Sequence, residues 1–186
     1  MRDNIIEDLL SKKKQYNGAE FREFFSGLPN KAQEMLFEYL EVCSENETDG
    51  FPIFLTFDIF ETVGMCESPI EKIFAMAVSL LDHVRGSEIW IFPQHKIKTG
   101  DKKYRVDFLC EYKDYNLIIE CDGHEYHKAT KEQVANDNER DLELKKAGYD
   151  ILRFSGSQIY NNPWKCAYGF LEYYETKVME YESREV

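Results

Sequence analysis

The fold is decided by residues 104–123, YRVDFLCEYKDYNLIIECDG, in which two largely apolar runs are separated by a short polar link. The runs at 104–111 and 117–122 predict two strands, and the link at 112–116 predicts that they form a hairpin. Residues 117–119 are all aliphatic, which is typical of a strand buried on both faces of its sheet. This segment therefore predicts the centre of a sheet with helices packed on it.

The sequence around the hairpin alternates between helical and strand patterns. Ser68, Pro69 and Glu71 have the spacing of a helical capping box with proline at the first helical position. The other predicted elements are a strand over 89–97, a helix between Thr130 and Gly148 with Gln133 at its capping-box position, a strand over 149–154 and a helix after Asn162. The order α-β-β-β-α-β-α predicts an α/β fold with one mixed central sheet flanked by helices.

The length of 186 residues allows one full domain with a small appendage. We predict a mainly helical accessory region over residues 1–62 and the α/β domain over residues 63–186. In the accessory region, an apolar stripe after Leu28-Pro29-Asn30 predicts a helix, and the polar stretch 44–50 predicts a loop.

Several classes of protein do not fit this composition. Residues 1–14 lack the apolar core of a secretory signal, and no apolar run approaches the length that spans a bilayer, so we expect a soluble, cytoplasmic protein without a membrane partner. The five cysteines are widely spaced and form no CxxC pair. This spacing argues against a disulfide framework or a cysteine-rich zinc site, and we expect most of them to be small buried residues.

Carboxylates gather around the predicted hairpin. Glu120 and Asp122 lie two residues apart at the carboxyl end of the second strand, so their side chains share a face. Asp107 lies amid apolar residues on the preceding strand, close enough across a tight hairpin to converge with Glu120. Buried carboxylates raise one another's pKa, and a divalent cation with oxygen ligands resolves that conflict. The alternative is that Asp107 pairs with Arg105 on its own strand.

These residues carry a resemblance to a known superfamily. Asp107 followed by Glu120-x-Asp122 resembles the PD-(D/E)XK nuclease signature with its lysine replaced. The longer pattern that supports it comprises residues 105–108, 118–127, 137–141, 144–149 and 152–154. Over about residues 67–160 the chain is similar to very-short-patch-repair-like endonucleases and to their uncharacterised bacterial relatives. The resemblance implies a restriction-endonuclease-like fold.

The resemblance also implies roles for individual residues. Asp107 and Glu120 would hold Mg²⁺ or Mn²⁺, with the backbone carbonyl of Cys121 as a further oxygen ligand. Asp122 stands where most of the superfamily has lysine; it would bind a second metal or deprotonate water. His127 would be a general base or acid. The cysteine ligands of the zinc in the repair enzymes have no evident match, so we do not transfer that zinc.

Glu71 and Arg140 each have two interpretations. Glu71 is explained by its place in the capping box, yet the resembled families often contribute an active-site glutamate from this helix, and we favour the functional role. Arg140 belongs either to an ordinary solvated helix or to the site, where it would contact phosphate or support a catalytic carboxylate.

The net charge of −12 argues against nucleic-acid binding unless a local basic patch supplies it. Residues 95–105 contain such a patch, with five basic residues and one aspartate. The candidate phosphate contacts are Lys96, Lys98, Lys102, Lys103, Arg105 and Arg140. The alternative is a solvated strand edge on which lysines prevent edge-to-edge pairing.

The function we predict is a metal-dependent endonuclease that hydrolyses phosphodiester bonds in DNA. One alternative is a nuclease fold kept as an inactive binding or assembly module, which the acidic charge and the missing lysine favour. A second is an RNA-directed nuclease. A third, confined to the metal, is a zinc or manganese site at Asp122, His124 and His127.

Overall fold

The structure is a computed structural model that describes residues 18–45, 54–86, 89–123 and 130–184. Its elements follow one another as helices, a three-stranded meander, a crossover helix, a fourth strand and two final helices. They are α1 (Gly18–Ser26), α2 (Asn30–Glu45), α3 (Phe54–Met65), α4 (Pro69–Arg85), β1 (Ile91–Thr99), β2 (Lys102–Tyr112), β3 (Tyr115–Asp122), α5 (Lys131–Lys146), β4 (Tyr149–Ser155), α6 (Gly156–Asn161) and α7 (Pro163–Glu182).

Local signals set the bounds of the helices, as the sequence predicts. Ser68 and Glu71 form the capping box of α4, in which the Ser68 hydroxyl accepts from the Glu71 N–H at 3.2 Å. Thr130 and Gln133 do the same for α5, and Asn162 caps α7. These caps satisfy backbone N–H groups that a helix leaves without a partner in its first turn. Each predicted start is therefore confirmed.

The central sheet is mixed, as predicted. Its strand order is β1-β2-β3-β4; the first two pairs are antiparallel, and β3 and β4 are parallel, joined by a crossover that contains α5. The predicted hairpin is tighter than expected, because only Lys113 and Asp114 separate β2 from β3. Leu117, Ile118 and Ile119 are all 0% exposed, so the prediction that this strand is buried on both faces is confirmed.

The two faces of the sheet bury cores of different size. One face packs on α4, α6 and α7, and Phe74 of α4 lies between Phe108 at 5.6 Å and Phe170 at 6.1 Å, measured between ring centroids. The other face carries α5 and a small core of Ile97, Val106, Leu109, Ile118 and Leu144. This layered arrangement confirms the predicted α/β fold with one mixed central sheet flanked by helices.

Strands β1 and β2 each have one position at which the alternation of side chains between the two faces of the sheet is interrupted. Val106 belongs to the small core and Phe108 to the large one, although residues two apart in a regular strand share a face. The pairs Pro93↔Phe108 and His95↔Val106 flank the change, and between them lie Gln94 and Asp107. Gln94 has a left-handed φ of 53°. The local twist removes Asp107 from the regular ladder.

The N-terminal helices share the large core with the rest of the chain. Leu36 and Leu40 of α2 and Val63 of α3 belong to the same buried cluster as Phe74. Residue 62, where the sequence suggests a boundary between accessory region and α/β domain, lies inside α3. That division of the chain stays a prediction.

Other differences from the sequence-based expectations are local. The helix α2 continues to Glu45, so the loop expected at 44–50 begins later; the remainder of that stretch lies outside the described residues. Val42 lies three residues after Tyr39, so its spacing places it in the apolar stripe that follows Asn30, but it is 58% exposed and lies outside the buried face of α2. Short helix α6 was not predicted. No helix within the described ranges combines the length and the apolar character that a membrane span needs.

The cysteines agree with the expectation for four of the five positions. Cys66, Cys110, Cys121 and Cys166 are buried and free. Burial raises the pKa of the Cys110 thiol to about 12. Such a thiol stays protonated near neutral pH and is a poor nucleophile.

Candidate active site

Asp107 and Glu120 lie side by side on neighbouring strands. Phe108 pairs with Ile119 across β2 and β3, so Asp107 and Glu120 are the next residues along the two strands. Asp107 Oδ2 accepts a hydrogen bond from the Cys121 N–H at 2.7 Å, which links the two strands beyond their last backbone pair, Phe108 with Ile119. The hairpin therefore brings together two carboxylates that are thirteen residues apart in the sequence.

Both carboxyl groups resist ionisation in the folded protein. Burial raises the pKa of Asp107, Glu71 and Asp122 raise it further, and the Cys121 N–H opposes the shift. Burial also raises the pKa of Glu120 to about 7, with the charge of Asp107 adding to the rise and Arg140 opposing it. The raised values are the response expected of carboxylates that are short of compensating positive charge.

Arg140 of α5 is the partner of Glu120. Its guanidinium forms an ion pair with Glu120 Oε1 and donates to the backbone carbonyl of Arg105 at 3.1 Å. The exposed fractions of the two side chains are 20% for Arg140 and 10% for Glu120. Of its two predicted roles, support of a carboxylate agrees with these contacts, and a phosphate contact stays a prediction.

Asp122 is held by a second arginine. Arg153 of β4 donates to Asp122 Oδ1 at 3.0 Å and to Asp141 Oδ1 at 2.7 Å. Asp141 also lies 3.7 Å from Arg140, so the ion pairs form one chain from Glu120 to Asp122. The contacts reach α5 from Glu120 and Asp122 alike, which agrees with the prediction that these two side chains share a face.

Glu71 takes its predicted place in the capping box, and its active-site role stays a prediction. It is only 6% exposed, and its carboxylate closes the capping box while accepting from the Glu67 N–H at 2.9 Å and from Gln94 Nε2 at 2.7 Å. Its charge raises the pKa of Asp107, so the helix start and the hairpin form one electrostatic cluster. Arg105, the alternative partner for Asp107, instead pairs with Glu67 at 2.7 Å.

The donor set suits a largely hydrated hard cation. No group of three or more metal-binding side chains occurs within the described part of the chain. Mg²⁺, however, commonly uses one or two carboxylates and keeps several waters. The cluster is acidic overall, since two arginines face five carboxylates. Those carboxylates are Glu71, Asp107, Glu120, Asp122 and Asp141. The chemistry of the Asp107 and Glu120 carboxylates therefore suits Mg²⁺ or Mn²⁺, and the Cys121 carbonyl stays a predicted ligand.

Strands β1 and β2 form a second hairpin, distinct from the β2–β3 hairpin that carries Asp107 and Glu120. It bears a basic surface, which we call the hairpin face. Lys96 stands directly opposite Arg105, and Lys98 opposite Lys103, so all four exposed side chains share one face. Lys102 turns the other way and pairs with Glu143 at 2.5 Å and Glu139 at 3.3 Å of α5. The hairpin face consists of Lys96, Lys98, Lys103 and Arg105.

Some predicted site residues cannot be placed, and others were missed. His127 and the alternative ligand His124 lie outside the described residues. Arg153, Asp141 and Gln94 were not among the predicted site residues although they contact it. The longer sequence pattern contains Arg140 and Asp141, but only the parallel pairing of β3 with β4 brings Arg153 to Asp141 and Asp122.

Comparison with known proteins adds one match. The sequence model of REase_MTES_1575, a restriction endonuclease family, matches residues 85–172, just under half of the chain. This segment contains the whole sheet, α5 and α6, and it begins after Glu71. No curated protein and no solved structure matches the chain. Residues 85–172 are therefore similar to a restriction endonuclease family, and the mixed sheet with its helices has the restriction-endonuclease-like fold.

Proposed function

We propose that the chain is a nuclease that hydrolyses phosphodiester bonds in DNA with Mg²⁺ or Mn²⁺ held at Asp107 and Glu120. The observation that carries the proposal is the adjacency of these two carboxylates, Glu120 buried on β3 and Asp107 half-buried on β2, each with a raised pKa. Similarity to a restriction endonuclease family supports a nucleic-acid substrate. The sequence pattern resembles DNA endonucleases, which favours DNA over RNA.

The residues of the site would divide the work as follows. A divalent cation supplies Lewis acidity toward the phosphodiester and activation of water when it is bound. Asp107 and Glu120 would hold it, and they would have to lose their protons to do so. Arg140 fixes the orientation of Glu120 through their ion pair. Asp122 would accept a proton from the attacking water, while Arg153 holds its Oδ1.

The hairpin face gives the substrate a place to lie. Like charges directly opposite one another destabilise a hairpin, and this face keeps two such pairs. Lys96, Lys98 and Lys103 form no ion pair within the ranges that the structure describes, so they remain available for phosphates. Lys102 is already neutralised by α5, and we therefore leave it out of the proposed contact.

Plasmid cleavage tests the proposal with isosteric variants. Asp107→Asn retains an acceptor for the Cys121 N–H, and Glu120→Gln retains one for Arg140, so each removes charge with little change of shape. We expect each to lower the cleavage rate in Mg²⁺ or Mn²⁺ by about 100-fold or more. Glu111→Gln, at an exposed position on β2, is the matched control and should cleave like the wild type. Undiminished cleavage by both site variants would refute the assignment.

A binding module without turnover is the second candidate. The ion pair of Asp122 with Arg153 favours it, because the position that holds lysine in most of the resembled superfamily carries a neutralised aspartate here. The two functions separate in one experiment. A module binds duplex DNA in a mobility-shift assay and leaves it intact in Mg²⁺ and Mn²⁺, whereas the proposed enzyme cuts it. Parallel digestion of RNA decides between the two polymers.

A further inference from the structure

Gln94 has an unusual place in the sheet. It lies opposite Asp107, between the pairs Pro93↔Phe108 and His95↔Val106, in the gap of the β1–β2 ladder. Its φ of 53° is a left-handed conformation that non-glycine residues seldom adopt within a strand. Nothing in a plain hairpin requires this conformation here. The sheet is therefore distorted at the residue that faces the proposed cation ligand Asp107.

The two polar atoms of the Gln94 side-chain amide differ in their hydrogen bonding. Nε2 donates to Glu71 Oε2 at 2.7 Å, and this contact links β1 to the start of α4. Oε1 is buried, yet no donor within the described residues reaches it. A buried acceptor without a hydrogen bond is costly, and such atoms commonly mark the place of a water or an ion. The hydration shell of a cation would supply that donor.

We propose that Gln94 is a positioning residue of the metal site. Its Nε2 fixes the Glu71 carboxylate, and its Oε1 accepts a hydrogen bond from a water of a hydrated divalent cation held at Asp107 and Glu120. This inference rests on the proposed function, since it needs that cation. It also explains the left-handed backbone, which brings the amide to the one gap in the ladder where Asp107 leaves the strand register.

Calorimetric titration of the full chain with Mn²⁺, in the absence of nucleic acid, tests the inference. Gln94→Leu removes both amide contacts at similar volume. We expect its affinity for Mn²⁺ to fall about tenfold, as for other residues that orient metal ligands. Gln33→Leu is the matched control, because Gln33 also makes two side-chain hydrogen bonds, to the Phe25 and Leu28 carbonyls, far from the site in α2. It should bind Mn²⁺ like the wild type.

The outcomes distinguish the two proposals. If Gln94→Leu binds Mn²⁺ within twofold of the wild type while Glu120→Gln does not bind, Gln94 is only a brace and the inference is overturned. If the wild type itself binds no Mn²⁺, the proposed function fails and the inference fails with it. Should Gln94→Leu not fold, Gln94→Asn replaces it, since asparagine tolerates a left-handed φ but is one methylene too short to hold Glu71.

Discussion

Replacing Arg140 by alanine gives the most direct test of the ion pair on which the site depends. Arg140 and Glu120 are both largely buried, and removing one partner of a buried pair typically costs about 3 kcal/mol or more, because the other charge is left without compensation. At pH 8 we therefore expect Arg140→Ala to lower the free energy of unfolding by about 3 kcal/mol. The contact with the Arg105 carbonyl is lost as well.

The loss should be smaller in acid. The pKa of Glu120 is about 7, so at pH 5.5 its carboxyl is mostly protonated in the folded protein and needs no counter-charge. What remains is the loss of hydrogen bonds, and we expect about 1 kcal/mol there. A rise in cost between pH 5.5 and pH 8 is the signature of a charge pair, because a packing defect at Arg140 would cost the same at both pH values.

Urea denaturation of the metal-free protein measures these differences. The double variant Arg140→Ala with Glu120→Gln should recover part of the loss, with a coupling energy of about 2 kcal/mol. Lys177→Ala, which breaks the exposed pair of Lys177 with Glu180, is the control and should unfold like the wild type. If Arg140→Ala stays within about 0.5 kcal/mol of the wild type at pH 8, the pair does not exist in solution. Arg140 would then be free to contact phosphate.

Three further predictions concern protons, metal and nucleic acid. The pKa of Glu120 in the folded protein is about 7, above its ordinary value of 4.5, so the stability that its protonated carboxyl contributes is complete below pH 4.5 and is lost as the pH rises through 7. Between pH 5 and pH 8 the free energy of unfolding of Glu120→Gln, measured by urea denaturation, should therefore fall by roughly 2–3 kcal/mol less than that of the wild type. Affinity for Mn²⁺, measured by calorimetry, should fall at least about tenfold per pH unit below 7, since cation binding displaces a proton from Glu120, and a pH-independent affinity would contradict this. In fluorescence binding to duplex DNA, Lys98→Ala and Lys103→Ala should each reduce the slope of log affinity against log salt by about 1, whereas Lys102→Ala should leave it unchanged; equal effects of all three would disprove the orientation of the hairpin face.

The sequence predicts the parts of the fold that local chemistry determines. The aliphatic run of residues 117–119, the capping residues Ser68 and Thr130 and the short link before Tyr115 each act within a few positions, and each prediction is confirmed. Helix α6 had a local signal as well, since Ser155 and Gln158 form its capping box, but a glycine at its first position discourages a helical assignment.

The site is less accessible to sequence reasoning because tertiary contacts complete it. The proximity of Asp107 and Glu120 can be predicted from the alternation of side chains along the strands and from the short hairpin link. Arg153 reaches Asp122 only because β4 lies parallel to β3 in a register that places Glu120 beside Arg153, more than thirty residues away. The left-handed φ of Gln94 could not be predicted from the sequence, because glutamine normally avoids that conformation and no neighbouring residue indicates it. A single sequence therefore predicts the carboxylates but not the groups that hold them.

Among the helices that the structure describes, α5 alone packs on the second face of the sheet, and this affects native-state amide hydrogen exchange. Leu144 is its one fully buried side chain in the described range, while Val134 and Leu142 are exposed, and ion pairs through Arg140 and Asp141 also connect it to the sheet. Regions with few buried apolar contacts open locally at a lower free energy than the global transition. We therefore expect the amides of α5 to exchange earlier than those of α4. Each opening carries Arg140 away and exposes Glu120 to solvent, so that the same motion uncovers the acidic site.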